Sequence, residues 1–305
     1  MSLVLDEKES QDIQENQDTQ EKESLDLQKK RQENLDAIKK FTLMDDTFMT
    51  QVLSGNIEAT ELILKVILQR DDLKVEQAVT QFPLSNLYGK SVRLDIYARD
   101  AAGKQYDIEI QQKDAGAVPE RARLNSSLFD ARLTNVGQKD YKEIPETYVI
   151  FITGNDVLKA GLPIYNVERV ILQTQTQFGD KAHIVYVNGT YRGEDPVGEL
   201  MSDFHCSDYR EMKNKTLANM VQYYKEDPKG VDKMCELMDR IAESRAVEVR
   251  IENALTMIAK VTRMRCAFFN SNWECQLFLH TTSFSLNIFF IFCIQVIAKQ
   301  LVLQV

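Results

Sequence analysis

The stretch Ser91-Val-Arg-Leu-Asp-Ile-Tyr-Ala-Arg-Asp100, with Ala101-Ala-Gly103 and Lys104-Gln-Tyr-Asp-Ile-Glu-Ile-Gln-Gln-Lys113 after it, decides the fold. Val92, Leu94, Ile96 and Ala98 alternate with polar or amphipathic residues, and so do Tyr106, Ile108 and Ile110. Period-2 patterning around a glycine-containing turn is the signature of a half-buried β-hairpin. The alternation also sets a register. Leu94 is expected opposite Ile110, Ile96 opposite Ile108 and Ala98 opposite Tyr106. A slip of one residue would set apolar side chains against polar ones, which a sheet with one buried face resists.

That register puts Asp95 opposite Glu109. Opposed Cβ atoms lie about 4.5–5.5 Å apart, close enough for two carboxylates to repel. A cation between them, or a proton on one, removes the conflict. Mg²⁺ takes oxygen ligands and often uses only one or two carboxylates, water and a substrate phosphate. The pair therefore reads as a hard-metal site. The bland alternative is two solvated carboxylates on an exposed sheet face, although Asp and Glu are depleted in strands.

Working outward, residues 41–70 read as two helical segments broken at Ser54-Gly55-Asn56, with Asn56 an N-cap for Ile57–Gln69. A strand is expected within Asp72–Phe82. Pro119 opens a helix running to about Arg132, since proline suits the first helical turn. Thr147–Thr153 is a continuous β-branched and aromatic run, the mark of a buried strand. Short strands are expected at Val167–Leu172 and Ala182–Asn188. From Pro196 to about Arg263 the pattern is helical. Met234, Leu237, Met238 and Ile241 fall on one face, suited to core packing or oligomer contact.

Composition narrows the function classes. The chain has 305 residues and a formal net charge of −9, which argues against broad non-specific nucleic-acid binding. A metal site with a local basic patch escapes that objection. Its five cysteines form no CxxC pair and no zinc spacing with His183, His205 and His280. No P-loop, GxGxxG or GxSxG motif occurs. The short run Leu3-Val4-Leu5 is followed by charges, so no signal peptide is read and a reducing, cytoplasmic location is expected. Metal-assisted hydrolysis is the chemistry these residues support directly.

The two ends differ from the middle. Residues 1–40 hold no Gly, Pro or aromatic residue and are rich in Gln, Glu, Asp and Lys. Disorder, or a solvated helix from about Leu25 to Lys40, is expected there. From Cys266 to Val305 the only formal charges are Glu274 and Lys299, amid many phenylalanines and Trp273. Three accounts stay open for residues 264–305: a frameshift or read-through product, a weak membrane segment, or a buried helix. Phe284–Ala298 is interrupted by Ser285, Asn287 and Gln295 and is shorter than the roughly 20 residues a spanning helix needs. No stable membrane partner is expected.

The hairpin Val92–Ala98 with Tyr106–Gln112 resembles the core of the PD-(D/E)XK nuclease family transposases. Three further stretches resemble that family: Phe41–Met49 its opening helix, Arg121–Asp130 the helix after the hairpin, and Glu146–Thr153 with Ile184–Gly189 the closing strands. The resemblance covers about residues 41–250. Leu94 departs from it, standing where the name-giving proline would be. Gln111 stands where the wider superfamily has lysine, in the Glu-x-Gln form common in this branch.

The resemblance implies an α/β domain over residues 41–190, with a mixed central sheet flanked by helices, and a helical extension over 191–263. It implies a Mg²⁺-dependent DNA endonuclease of recombination-promoting type, with Mn²⁺ as a substitute. Asp95 and Glu109 would hold the metal, and Gln111 would position the attacking water. Asp46 and Glu61 are candidates for an additional acid, each with the alternative of a plain surface carboxylate. Lys113, two residues beyond Gln111, is a candidate for the missing charge. Arg121 and Arg123 are candidates to bind phosphate, or to pair with a neighbouring acid. The rival reading is a catalytically degenerate module that binds DNA or protein. A homo-oligomer formed through the carboxy-terminal helices is a further expectation.

Overall fold

A computed structural model of the chain describes residue 22 and residues 24–84, 92–113, 116–134 and 140–270. The Asp95 hairpin supplies the centre of its main sheet. Strand β2 (Val92–Asp100) pairs antiparallel with β3 (Gln105–Gln111) through Ile96–Ile108, Tyr97–Asp107, Ala98–Tyr106 and Arg99–Gln105. These four rungs follow the register that the alternation dictates; the expected Leu94–Ile110 and Asp95–Glu109 rungs are not among the pairs. Asp100 closes the turn, its Oδ1 accepting the Ala102 and Lys104 amides at 3.0 and 2.8 Å.

The sheet grows on both sides of the hairpin. Strand β1 (Val75–Leu84) pairs antiparallel with β2. On the other side β4 (Thr147–Thr153) runs parallel to β3, and β8 (Ala182–Asn188) runs parallel to β4. Strand β5 (Ile164–Val167) closes the edge antiparallel to β8, giving the order β1-β2-β3-β4-β8-β5. The fold is α/β with a mixed central sheet flanked by helices. Parallel pairs need crossovers, and their strands are buried on both faces. That is why β4 reads as an unbroken apolar run.

Helices cover both faces. The larger core gathers Phe48, Val52 and Leu53 of α2 (Asp46–Leu53), Ile63 and Leu64 of α3 (Ile57–Leu68), Leu200 and Phe204 of α5 (Pro196–His205), and Leu217 and Val221 of α6 (Lys215–Glu226). They meet Ile96, Ala98, Tyr106, Ile108 and Ile110 of the hairpin. On the opposite face α4 (Pro119–Leu133) places Ala122 and Phe129 against Tyr97, Val149, Phe151 and Tyr186. Asn56 caps α3, its side chain accepting the Ala59 amide at 3.0 Å.

One local irregularity decides where Asp95 sits. Leu94 belongs to the α4-side core, while Ile96 belongs to the other. The alternation had placed both on one face. The switch occurs between the rungs Phe82–Leu94 and Thr80–Ile96 of the β1–β2 ladder. There Gln81 adopts a left-handed φ of 55°, and the Gln81–Asp95 rung carries no ladder pairing. Strand β1 switches faces at the same point: Ala78 joins the larger core, and Phe82 and Leu84 the other.

The expected strand Val167–Leu172 is two pieces. Val167 ends β5, and Val170–Ile171 is β6, paired with β7 (Thr176–Gln177) in a separate exposed hairpin. Between the pieces Glu168 Oε1 lies 2.6 Å from His183 Nδ1, and Arg169 pairs with Asp180.

Residues 24–40 form helix α1, mostly exposed, with Ile38 buried in the larger core. Lys225 ties the end of α1 to α6. Its Nζ donates to the Lys39, Phe41 and Ser207 carbonyls at 3.0, 2.6 and 2.6 Å. Burial holds that ammonium below its ordinary pKa. Helix α7 spans Pro228–Asn270. The chain divides into two units, Met1–Met238 and Asp239–Val305. The described part of the second unit is helical, with Val249, Ile251, Leu255 and Met257 exposed. Residues 1–21, 23 and 271–305 of the two terminal segments lie outside the described residues. No helix among the described residues is long and apolar enough to cross a membrane.

Glu61 is a stabilising element of this fold. Its carboxylate accepts the Val75 amide at 3.0 Å and pairs with Lys65 and Lys74 at 2.8 and 3.0 Å. Burial alone would raise its pKa, but these three partners hold it down at about 2. A depressed carboxyl contributes stability that is present above pH 4.5 and is lost as the pH falls towards 2. Glu61→Gln should therefore lower the melting temperature by about 3 °C at pH 7, from a partly exposed network of about 1 kcal/mol. The deficit should shrink in melts recorded from pH 4.5 downward.

Candidate active site

The site is built where β2, β3 and α4 meet. Alternation along β3 sends Tyr106, Ile108 and Ile110 to the larger core and leaves Asp107, Glu109 and Gln111 for the α4 face. Helix α4 answers with Arg121 and Asn125, four residues apart on one helical face. One such step advances about 6 Å, close to the roughly 6.6 Å between alternate strand residues. The two rows therefore match. Arg121 Nη2 meets Glu109 Oε2 at 2.5 Å, and Asn125 Nδ2 donates to Asp107 Oδ2 at 3.2 Å. Phe129, one further turn along, packs edge-on against Tyr97.

Asp95 enters from the kink in β2. Its carboxylate Oδ2 accepts the Ile110 amide at 2.9 Å, and its own amide lies 3.4 Å from Glu109 Oε1. The two acids are thus linked through each other's strand rather than by a regular ladder rung. Gln111 extends the cluster: its Oε1 accepts from Arg121 Nη1 at 3.0 Å and its Nε2 lies 3.4 Å from Glu109 Oε2.

The electrostatics are those of crowded acids. Burial and the Glu109 carboxylate push Asp95 up to about 7, with Asp46 adding to the rise. Glu109 is fully buried and raised by that burial, against the pull of Arg121 and of the Asp95 amide. Asp107, also fully buried, is raised well above the ordinary value by burial and then by Glu109. Its Oδ1 is buried without a hydrogen-bond partner. All three acids cannot be ionised together without added positive charge. Oxygen-only donors with a charge deficit suit a hard divalent cation. Among the described residues no group of three or more His, Cys, Asp or Glu is arranged to hold a metal ion. Such an ion would rest on Asp95 and Glu109 with water completing its shell.

Residues 57–189 match a family model for a PD-(D/E)XK nuclease family transposase. The chain carries a domain of this kind. The matched stretch starts at α3 and ends just beyond β8, so it contains Asp95, Glu109, Gln111 and Arg121. No curated protein and no solved structure matches the chain.

The remaining candidates are distributed unevenly. Asp46, at the start of α2, accepts from Thr50 at 3.4 Å and is near enough to Asp95 to raise it. Glu61 is not brought to the pair; it is held by Lys65, Lys74 and Val75. Strand β3 stops at Gln111, and Lys113 lies in an exposed bend, so strand spacing does not carry it to the acids. Arg121 touches Glu109 and Gln111, whereas Arg123 is exposed. Sequence reasoning passed over Asp107 and Asn125 as site residues. The acid spacing Asp107-x-Glu109 was a visible signal for the first. For Asn125, the four-residue step from Arg121 was the only clue.

Gly116 sets the position of Gln111. A Cβ there would meet Gln111 Oε1 at 1.9 Å, and the Gly116 carbonyl accepts from Arg121 at 3.0 Å. The obstruction is the flexible end of a side chain, so Gly116→Ala should leave thermal melting nearly unchanged. If the cluster cleaves DNA, displacing Gln111 by about 1 Å should cost roughly tenfold to a hundredfold in rate. Plasmid nicking rates beside melting curves check both halves.

Proposed function

We propose that this domain is a divalent-metal-dependent DNA endonuclease that hydrolyses phosphodiester bonds, with Mg²⁺ as the resident ion and Mn²⁺ able to replace it. The observation that carries the reading is the convergence of Asp95, Glu109 and Gln111 on one partly buried cluster beside a guanidinium. A bound divalent ion supplies a water of lowered pKa and neutralises charge on the scissile phosphate. Asp95 and Glu109 are the residues to hold it, each already fixed: Asp95 by the Ile110 amide, Glu109 by the Asp95 amide and Arg121. The Gln111 amide orients the attacking water through its oxygen or its N–H. In the hydrolysis the water gives up a proton to solvent as its oxygen bonds to phosphorus, one ester P–O bond breaks, and the leaving oxygen takes up a proton from solvent.

The same proposal extends to the rest of the chain. Residues 41–190 are the nuclease module, acting in the cytoplasm. The helical extension is a self-association surface, an assignment supported by Ile251 and Leu255, 42% and 52% exposed one turn apart. Plasmid cleavage by the full chain with Mg²⁺, with Mn²⁺ and with chelator tests the activity. Cleavage that survives chelation, or none with either ion, would sink it. Ion binding without cleavage would favour the degenerate binding module instead.

A further inference from the structure

The geometry points to Arg121 as the cationic catalytic residue of this site: it holds Glu109 in the metal-free protein and passes to the scissile phosphate when a divalent ion takes that carboxylate. The inference rests on the phosphodiester-cleaving reading. Gln111 is neutral and cannot stabilise developing negative charge as a cation would. Lys113 is beyond the end of β3 and exposed. Arg121 is in place: its Nη1 donates to Gln111 Oε1 at 3.0 Å and to the Gly116 carbonyl at 3.0 Å. The guanidinium thus lies at the tip of the Gln111 side chain. A lysine at position 111, one atom longer, would bring its ammonium to the same place.

Two further observations favour a transfer. Glu109 is wholly buried, while the Arg121 side chain is 33% exposed. The acid cannot follow an incoming phosphate outward, but the guanidinium can turn to it. A guanidinium fork also matches phosphate oxygens as well as it matches carboxylate. In the free protein, then, Arg121 and the divalent ion compete for Glu109. In the complex the same charge is released to the substrate.

The test uses the full chain with Mn²⁺ as probe. Calorimetric Mn²⁺ titration and plasmid cleavage are run on the wild type, Arg121→Ala, Arg121→Gln and the double variant Gln111→Lys/Arg121→Ala. Melting curves establish which variants fold, and the near-isosteric glutamine covers the case in which alanine does not. Removing the guanidinium should tighten Mn²⁺ binding several-fold while slowing cleavage roughly a hundredfold, the usual effect of deleting one charge-stabilising donor. Lysine at 111 in the Arg121→Ala background should recover about tenfold of that loss. Variants that cleave at the wild-type rate, bind Mn²⁺ no more tightly, or gain nothing from the added lysine overturn the assignment. A wild type that binds Mn²⁺ but never cleaves sinks the nuclease reading. The change in Mn²⁺ affinity then still decides whether Arg121 competes for Glu109.

Discussion

Asp95→Asn is expected to abolish divalent-dependent nicking and, at alkaline pH without metal, to make the chain more stable. The two effects share a cause. Asp95 is partly buried beside Glu109, and its carboxyl is pushed from the ordinary 3.8 to about 7. For an acid with a raised folded pKa, the stabilising contribution is full below pH 3.8 and is lost as the pH rises towards 7. At pH 8 the wild type bears this loss and the amide does not. At pH 4 both side chains are neutral and the melts should nearly coincide. With about 3 °C per kcal/mol for a chain of this size, a difference of roughly 5 °C at pH 8 is expected. Mg²⁺ should reverse the order, because a ligand that binds only the folded state raises its melting temperature. Melts at pH 4 and pH 8, with and without Mg²⁺, and parallel nicking assays check this. Equal nicking by both proteins, or a wild type indifferent to Mg²⁺, would remove Asp95 from the proposed metal site.

Gly189→Ala should give a large loss of stability. Gly189 follows β8, where the chain passes tightly over the end of β4. An added Cβ would lie 1.9 Å from the Thr153 carbonyl oxygen and 3.2 Å from His205 Cε1. Unlike the obstacle at Gly116, this one is backbone at the end of a parallel ladder. It is braced by Thr153 Oγ1 donating to the Val187 carbonyl at 2.9 Å. The carbonyl cannot move without opening the β4–β8 pair. Overpacking of this sort costs about 3 kcal/mol, or roughly 10 °C. A denaturant titration showing a loss below about 1 kcal/mol would mean that the joint is looser than its geometry.

The parts of this fold that were legible in the sequence are those governed by local pattern. Thr147–Thr153 and Ala182–Asn188 coincide with β4 and β8, because strands buried on both faces leave continuous apolar runs. Asn56 announced α3 because an N-cap needs a short side-chain acceptor. The hairpin register followed from Ile96, Ala98, Tyr106 and Ile108. The face switch at Gln81 and Asp95 was not legible, because a left-handed glutamine leaves no compositional mark. The break between Val167 and Val170 was hidden for another reason: the partners of Glu168 and Arg169, His183 and Asp180, are distant in sequence.

At the site, sequence and resemblance named Asp95, Glu109 and Gln111. Telling Arg121 from Arg123 needed the rotational phase of α4, whose first two turns hold both and carry too little amphipathic signal to fix it. Asp107 was visible as an acid, yet only the packing of Asn125 above it reveals that it is buried.

The reversal of faces at Asp95 has a mechanical consequence. The residue before it is anchored in one hydrophobic layer and the residue after it in the other. Asp95 is therefore a fulcrum between two independently packed halves, and its carboxylate cannot drift with either. Glu109, on a regular strand, has no such double anchorage and is steadied instead by Arg121. The pair thus joins an acid pinned by the two layers to one pinned by an amide and a guanidinium.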